Sequence, residues 1–162
     1  MKFAREGSFC YNNFMKAVVQ RVKSASVSIG GELFSSIENG LLVLLGVEKG
    51  DTSAEAEYIC NKLLKLRIFE DENEKMNYSV SDIGGGILIV SQFTLAGSVK
   101  KGLRPSFDNA MLPKDAEVLY EKFVEMAKES GLKIQTGKFG AMMDVALIND
   151  GPVTFIIEKS CG

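Results

Sequence analysis

Ser91, Gln92, Phe93 and Thr94 place two hydroxyls and an amide directly after the apolar run at residues 87–90. Polar groups at the end of a buried strand are where sites form in α/β sheets. The ordinary alternative is a strand end whose hydroxyls cap a turn. A hydroxyl nucleophile needs a neighbouring base, and the 162-residue chain contains no histidine. No Ser-His-Asp or Cys-His unit can exist within it, and no zinc site with imidazole ligands. A lysine or a carboxylate would have to activate Ser91 or Thr94, and sequence alone does not place one.

Other segments carry weaker signals. Asn149-Asp150-Gly151-Pro152 separates two strand-like runs. Asn, Asp and Gly there suggest a hairpin turn, but Pro152 cannot donate to a sheet ladder. The functional reading is a rigid device that presents backbone groups. Lys100, Lys101 and Arg104 form the densest basic cluster; they suit a solvated loop or a phosphate-contacting loop beside a site. Gly84-Gly85-Gly86 lacks the spacing of a phosphate-binding loop and reads as a strand-entry turn. Met142 and Met143 follow Phe139-Gly140-Ala141; alternation suggests one methionine toward the core and the other toward a groove, with core packing the ordinary reading. Cys10, Cys60 and Cys161 include no CxxC pair. An odd count in a chain with a sizeable core fits a reducing cytoplasm.

Sheet and helix patterns alternate along the chain. Residues 16–22 read as a strand, and runs at 26–29 and 32–37 flank the Gly30-Gly31 hairpin signal. Residues 41–47 are continuously apolar, as in a strand buried on both faces. Thr52-Ser53-Ala54-Glu55 fits a capping box, and the helix it opens is expected to end near Arg67. Pro113 opens a second helix, with Gly131 just past its end. Residues 132–135, 143–148 and 153–157 are further strand candidates. The fold class is α/β, with mixed β-sheets and two main helices covering one side.

Length fits one domain, and 46% hydrophobic with 25% charged residues is the ordinary globular profile. The net charge of −2 gives no global attraction to nucleic acid, so any basic surface is local. Residues 1–14 have no clear period and read as a leader or an upstream start, leaving a single domain at 15–162. No apolar run is long enough to cross a bilayer as a helix.

Taken in order, these segments resemble the D-aminoacyl-tRNA deacylases of the D-Tyr-tRNA(Tyr) type. The resemblance begins at Met15-Lys16-Ala17-Val18-Val19-Gln20-Arg21-Val22 and runs through Gly40-Leu41-Leu42-Val43-Leu44-Leu45-Gly46-Val47 and Lys75-Met76-Asn77. Ser91-Gln92-Phe93-Thr94-Leu95 matches one family signature, and Asn149-Asp150-Gly151-Pro152-Val153-Thr154 matches a second. Gly102-Leu103-Arg104-Pro105-Ser106-Phe107 and Phe139-Gly140-Ala141-Met142-Met143 also match. About residues 15–158 are covered.

The resemblance implies a cytoplasmic homodimer with a three-layer β/β/α fold. It implies hydrolysis of the ester between a D-amino acid and the 3′-terminal adenosine of tRNA, and of glycine mischarged onto tRNA(Ala). Ser91, Gln92, Phe93 and Thr94 would shape the catalytic site. Gly151-Pro152 would be a cis step that reaches into the partner's site, where its carbonyls bar L-amino acids. Ala141, Met143, Asn149, Thr154, Lys100, Lys101 and Arg104 would contact the substrate or its tRNA. No cofactor and no metal is expected. In one family mechanism Thr94 is the nucleophile. In the other the ribose 2′-hydroxyl assists while backbone N–H groups near Phe93 and Thr94 hold the oxyanion. The absence of histidine favours the second. Two other classes remain open: an inactive tRNA- or RNA-binding dimer, and a threonine esterase of small molecules.

Overall fold

Alternation fixes which face each strand buries. The structure, a computed structural model, describes residues 14–160. Strand β1 (Phe14–Ile29) buries Met15, Ala17 and Val19 on one face. Strand β3 (Gly40–Gly46) is buried on both: Leu41, Val43 and Leu45 join one core while Leu42 joins a second. Strand β6 (Gly86–Ser91) divides likewise, with Ile87 and Ile89 on the first side and Leu88 and Val90 on the other. The continuously apolar runs seen in the sequence thus reflect two-sided burial.

The first core lies under helices α1 (Ser53–Lys65) and α3 (Pro113–Lys128), through Ala56, Ile59 and Leu63 and through Leu119, Phe123 and Ala127. The second lies between the sheet and its own folded-over part, where Val22, Ala25 and Val27 of β1 meet Ile37 at the end of β2 (Glu32–Ile37). Two β layers and one helical layer result, the α/β architecture expected from the sequence. Strand order is β2-β1-β3-β6-β7, with β7 at Ile134–Thr136 and β8 (Asp144–Ser160) pairing along β1, while β4 (Phe69–Glu70) and β5 (Met76–Tyr78) form a separate two-stranded sheet. β1 is antiparallel to β2, β3 and β8; β3–β6 and β6–β7 are parallel.

Thr52 caps α1 with Glu55 reciprocating, as its sequence predicts. The helix stops at Lys65, with Leu66 already extended, just short of Arg67. A second capping box, Ser79 with Asp82, starts the short helix α2 (Val80–Ile83). Gly84 ends it in the left-handed region at φ 61°, which accounts for part of the Gly84–Gly86 run.

Two expectations are corrected. Residues 16–22 and 26–29 belong to one strand, because β1 bends at irregularities near Val22 instead of breaking there. Residues 149–152 do not reverse the chain: Thr154 pairs with Gln20 and Asn149 with Val22, both on β1. Residues 150–153 bulge out opposite Arg21 alone, where Pro152 needs no ladder hydrogen bond. The reading of residues 1–14 as a leader lies outside the described residues, except that Phe14 already belongs to β1.

Candidate functional site

Ser91 ends β6, and the chain turns at once into a 3-10 helix, Phe93–Ala96. Gln92 N–H donates to the Leu45 carbonyl at 2.8 Å, tying the turn to the end of β3. Leu95 N–H donates to the Gln92 carbonyl at 3.2 Å and closes the first helical bond. The N–H groups of Phe93 and Thr94 precede that bond and have no acceptor within the turn. Phe93 and Thr94 are exposed. Among the described residues the side-chain partner of the Thr94 hydroxyl is Gln92, whose amide donates to it at 2.5 Å. An amide is not a base in either orientation, so Thr94 has a neighbour that orients it and none that activates it.

A buried electrostatic platform sits below. Lys16 Nζ lies 3.3 Å from Glu48 and donates to the Leu95 carbonyl at 3.4 Å. Glu48, almost fully buried, also accepts from Phe14 N–H at 2.8 Å, and its own N–H donates to Asp51 at 2.7 Å. Burial raises the Asp51 carboxyl to about 7, aided by the charges of Glu48 and Glu55 and opposed by backbone donors.

Two loops flank the turn. In the first, the Phe107 ring lies 5.2 Å from that of Phe93, and a backbone pair between Ser98 and Ser106 closes the segment between them. Lys100, Lys101 and Arg104 are exposed on that segment. The second loop carries Ala141 and Met143. Gly137 N–H donates to the Ile89 carbonyl at 3.2 Å, and the same carbonyl accepts the Tyr120 hydroxyl at 2.7 Å. The Tyr120 ring lies 5.7 Å from that of Phe139, tilted by 46°. The Met143 sulfur packs against Gly137 and accepts from Lys138 N–H at 3.4 Å. The Ser91–Thr94 segment, the basic loop and the Ala141–Met143 loop thus share one end of β6.

Gly151 and Pro152 lie elsewhere. Their peptide bond is cis, and both residues are exposed. Asn149 braces the bulge: its Oδ1 accepts from Val153 N–H at 2.7 Å, and its Nδ2 donates to the Val153 carbonyl and to the Thr154 hydroxyl. Both ends of the Asn149 amide are therefore engaged inside the bulge, along with the Thr154 hydroxyl. Arg21, buried, donates from Nε to the Asp150 carbonyl at 2.9 Å and from Nη1 to the Ile68 carbonyl at 2.7 Å. Sequence reasoning missed Arg21 as a positioning residue. Its signal was available: a charged residue at the inward parity of Met15, Ala17 and Val19.

Register gives the separation of the two signatures. Arg21, which faces the bulge, pairs with Leu41 and through it with Ile87 at the start of β6. Ser91, by contrast, pairs with Leu45 and through it with Ala17. Four residues along the strands and three strand spacings across them amount to about 13 Å and about 14 Å. A cleft of about 690 Å³ at the start of β6 is lined by Arg21, Asn39, Glu70, Gly85, Lys133 and Asp150. It adjoins the bulge and lies at the far end of β6 from Thr94.

Among the described residues no group of three or more His, Cys, Asp or Glu side chains could hold a metal, and no helix is long and apolar enough to cross a membrane. Cys60 is buried, which pushes its thiol up to about 11; Cys10 and Cys161 lie outside the described residues.

Comparison with known proteins agrees with these motifs. A family model described as D-Tyr-tRNA(Tyr) deacylase matches residues 18–158. A D-aminoacyl-tRNA deacylase of Aquifex aeolicus is 60% identical over 145 residues, covering 90% of this chain and 98% of the relative. One from Desulfatibacillum aliphaticivorans is 58% identical, covering 90% and 99%. A solved structure titled c-Myc DNA Unwinding Element Binding Protein superposes with TM-score 0.85 at 49% identity, covering 90% of this chain and 99% of that one. A probable eukaryotic D-amino acid tRNA deacylase, at 16% identity and TM-score 0.78 over 90% of this chain and all of that one, shares the fold. By the family match and by these identities over nearly all of each relative, the chain belongs to the D-Tyr-tRNA(Tyr) deacylase family.

Proposed function

We propose that this chain, a hydrolase of that family, cleaves the ester of D-aminoacyl-tRNA and of glycyl-tRNA(Ala) as a cytoplasmic homodimer. One observation carries the dimeric site. The turn at Phe93 and Thr94 and the bulge at Gly151-Pro152 lie at opposite ends of β6 in one chain. Only a second copy can bring the exposed bulge of one protomer to the turn of the other. The Gly151-Pro152 carbonyls then form a rigid wall where an L side chain would point. Glycine has no side chain to meet that wall and passes.

The chemistry adds one water across the ester and releases the amino acid and the tRNA 3′-hydroxyl. The N–H groups of Phe93 and Thr94 receive the developing oxyanion. The ribose 2′-hydroxyl assists proton transfer, because among the described residues the Thr94 hydroxyl faces an amide and no base. The same observation argues against a threonine esterase. Ala141 and Met143 line the adenosine side of the site, and Lys100, Lys101 and Arg104 face the acceptor end.

The test is incubation with D-Tyr-tRNA(Tyr), L-Tyr-tRNA(Tyr) and Gly-tRNA(Ala). Loss of the D and glycyl esters with survival of the L ester is expected. Survival of the D and glycyl esters at enzyme excess overturns the reading. Binding without hydrolysis points to an inactive tRNA-binding dimer.

A further inference from the structure

The loop between Ser98 and Ser106 has an unusual make-up for a solvated turn. Two backbone hydrogen bonds, Ser98 N–H to Ser106 carbonyl at 2.7 Å and the reverse at 2.9 Å, pinch its base. Gly102, at φ 67°, turns the tip. Leu103 follows it and is fully exposed, and Val99 is 74% exposed. Lys100, Lys101 and Arg104 surround them, and among the described residues none of the three forms an ion pair. Residues 98–107 contain no acid. Phe107 then holds the loop against Phe93, beside Thr94.

A leucine held wholly in water has no folding role. Three unpaired cations around it select an anionic partner with an apolar face. A membrane and a second copy of this chain are the competing occupants. Cations alone would suit an anionic membrane, but the short loop is pinned directly to the turn at Phe93–Thr94, which faces the substrate. A nucleic-acid strand combines backbone phosphates with base faces, and proteins meet it with cations plus an inserted or stacked apolar side chain.

We infer that residues 99–105 form an apolar-tipped clamp for the 3′ strand of the substrate RNA, with Leu103 packed on a nucleobase and Lys100, Lys101 and Arg104 on the flanking phosphates. The identity of the RNA rests on the deacylase reading above. A seven-residue loop folded back on itself projects about 10 Å from its base.

The test compares Leu103→Ser and Leu103→Met with the unaltered protein on two substrates, D-Tyr-tRNA(Tyr) and 3′-O-D-tyrosyl-adenosine. Binding of an uncharged acceptor-stem hairpin ending in CCA is measured by fluorescence anisotropy. With Leu103→Ser, the loss in kcat/KM on the tRNA exceeds that on the adenosine ester at least tenfold. The loss sits in KM, hairpin binding weakens in parallel, and Leu103→Met restores both. Equal losses on the two substrates, or a loss on the tRNA below twofold, overturn the clamp. So does a shift of Leu103→Ser to a smaller species in gel filtration, which would make the patch a contact between copies, and so does a loss rescued only by anionic vesicles. If the unaltered protein hydrolyses neither substrate yet binds the hairpin through Leu103, the deacylase reading fails and the clamp stands. If it binds no hairpin, the clamp fails.

Discussion

Arg21 Nε donates to the Asp150 carbonyl at 2.9 Å, so a buried guanidinium on β1 holds the residue that leads into the Gly151-Pro152 bulge. The same side chain reaches the Ile68 carbonyl through Nη1 and lies 3.8 Å from Glu70. A planar fork presents two separate nitrogens to the two carbonyls in fixed geometry, which the single nitrogen of an ammonium does not reproduce. Arg21→Lys is therefore expected to destabilise the fold by about 1.5–3 kcal/mol, the range for hydrogen bonds to a charged group. Hydrogen exchange over residues 149–154 should rise, and, on the proposed reading of the bulge as a wall against L side chains, hydrolysis of L-Tyr-tRNA(Tyr) should rise relative to the D ester. Unchanged exchange there would remove Arg21 as the bulge's anchor.

Much of the fold was legible because local signals and burial agreed. Residues 41–47 and 87–90 read as two-sided strands, and each does divide its side chains between two cores. Thr52 and Glu55 declared a helix start that needs only neighbours three residues apart. The bulge was not legible. Asn149, Asp150 and Gly151 carry turn chemistry, and only pairing with a strand more than a hundred residues away decides between a reversal and an excursion. The platform under Leu95 was hidden for the same reason: Lys16, Glu48 and Leu95 are remote in sequence, and nothing in their types announces that they meet.

Thr94→Ala separates the two mechanisms. Among the described residues the hydroxyl receives an amide hydrogen from Gln92 and meets no base, so its removal is expected to leave a substantial rate, within about tenfold of the parent. A D-Tyr-tRNA(Tyr) ending in 2′-deoxyadenosine should by contrast be nearly inert with the unaltered protein. Single-turnover assays decide it. Complete loss in folded Thr94→Ala protein, with the deoxy substrate still cleaved, would make Thr94 the nucleophile.

Gly46 carries the turn from below. A Cβ built there would lie 2.7 Å from Leu95 Cβ and 3.3 Å from the Gln92 carbonyl oxygen. Leu95 Cβ is fixed to the backbone, so Gly46→Ala must push the turn away by several tenths of an ångström. Catalytic geometry tolerates displacements of about that size poorly. The expected outcome is a fall in kcat of about tenfold or more, with a modest fall in melting temperature and little change in KM. Full activity would show that the turn's position is not critical.

Salt should act weakly on binding. On the clamp reading proposed above, the three cations on the basic loop make the phosphate contacts, in a chain whose net charge is −2. At a slope of about 0.7 to 0.9 per phosphate contact, log K against log salt should fall by about 2 to 3. Filter binding of uncharged tRNA between low and moderate salt measures it, and Lys101→Ala should reduce the slope by about one contact. A much steeper line would require a larger basic face than the loop supplies.

Asp51 makes stability depend on pH in the direction opposite to most carboxylates. Burial and the nearby Glu48 and Glu55 charges raise it from 3.8 to about 7. Between those values the folded chain keeps the proton that the unfolded chain releases, so this group's stabilisation is present at low pH and is lost as pH rises towards 7. The gap sets a ceiling of about 4 kcal/mol. Asp71 and Asp82 are lowered by backbone donors and act in the other sense at more acidic pH, so the informative quantity is a difference between two proteins. Asp51→Asn retains an oxygen for the Glu48 N–H and removes the titration. Its melting temperature relative to the parent is expected to climb from pH 5 to pH 8 and then level off. Parallel melting curves across that range would mean that Asp51 is ionised throughout, with Lys16 neutralising the whole platform beneath Leu95.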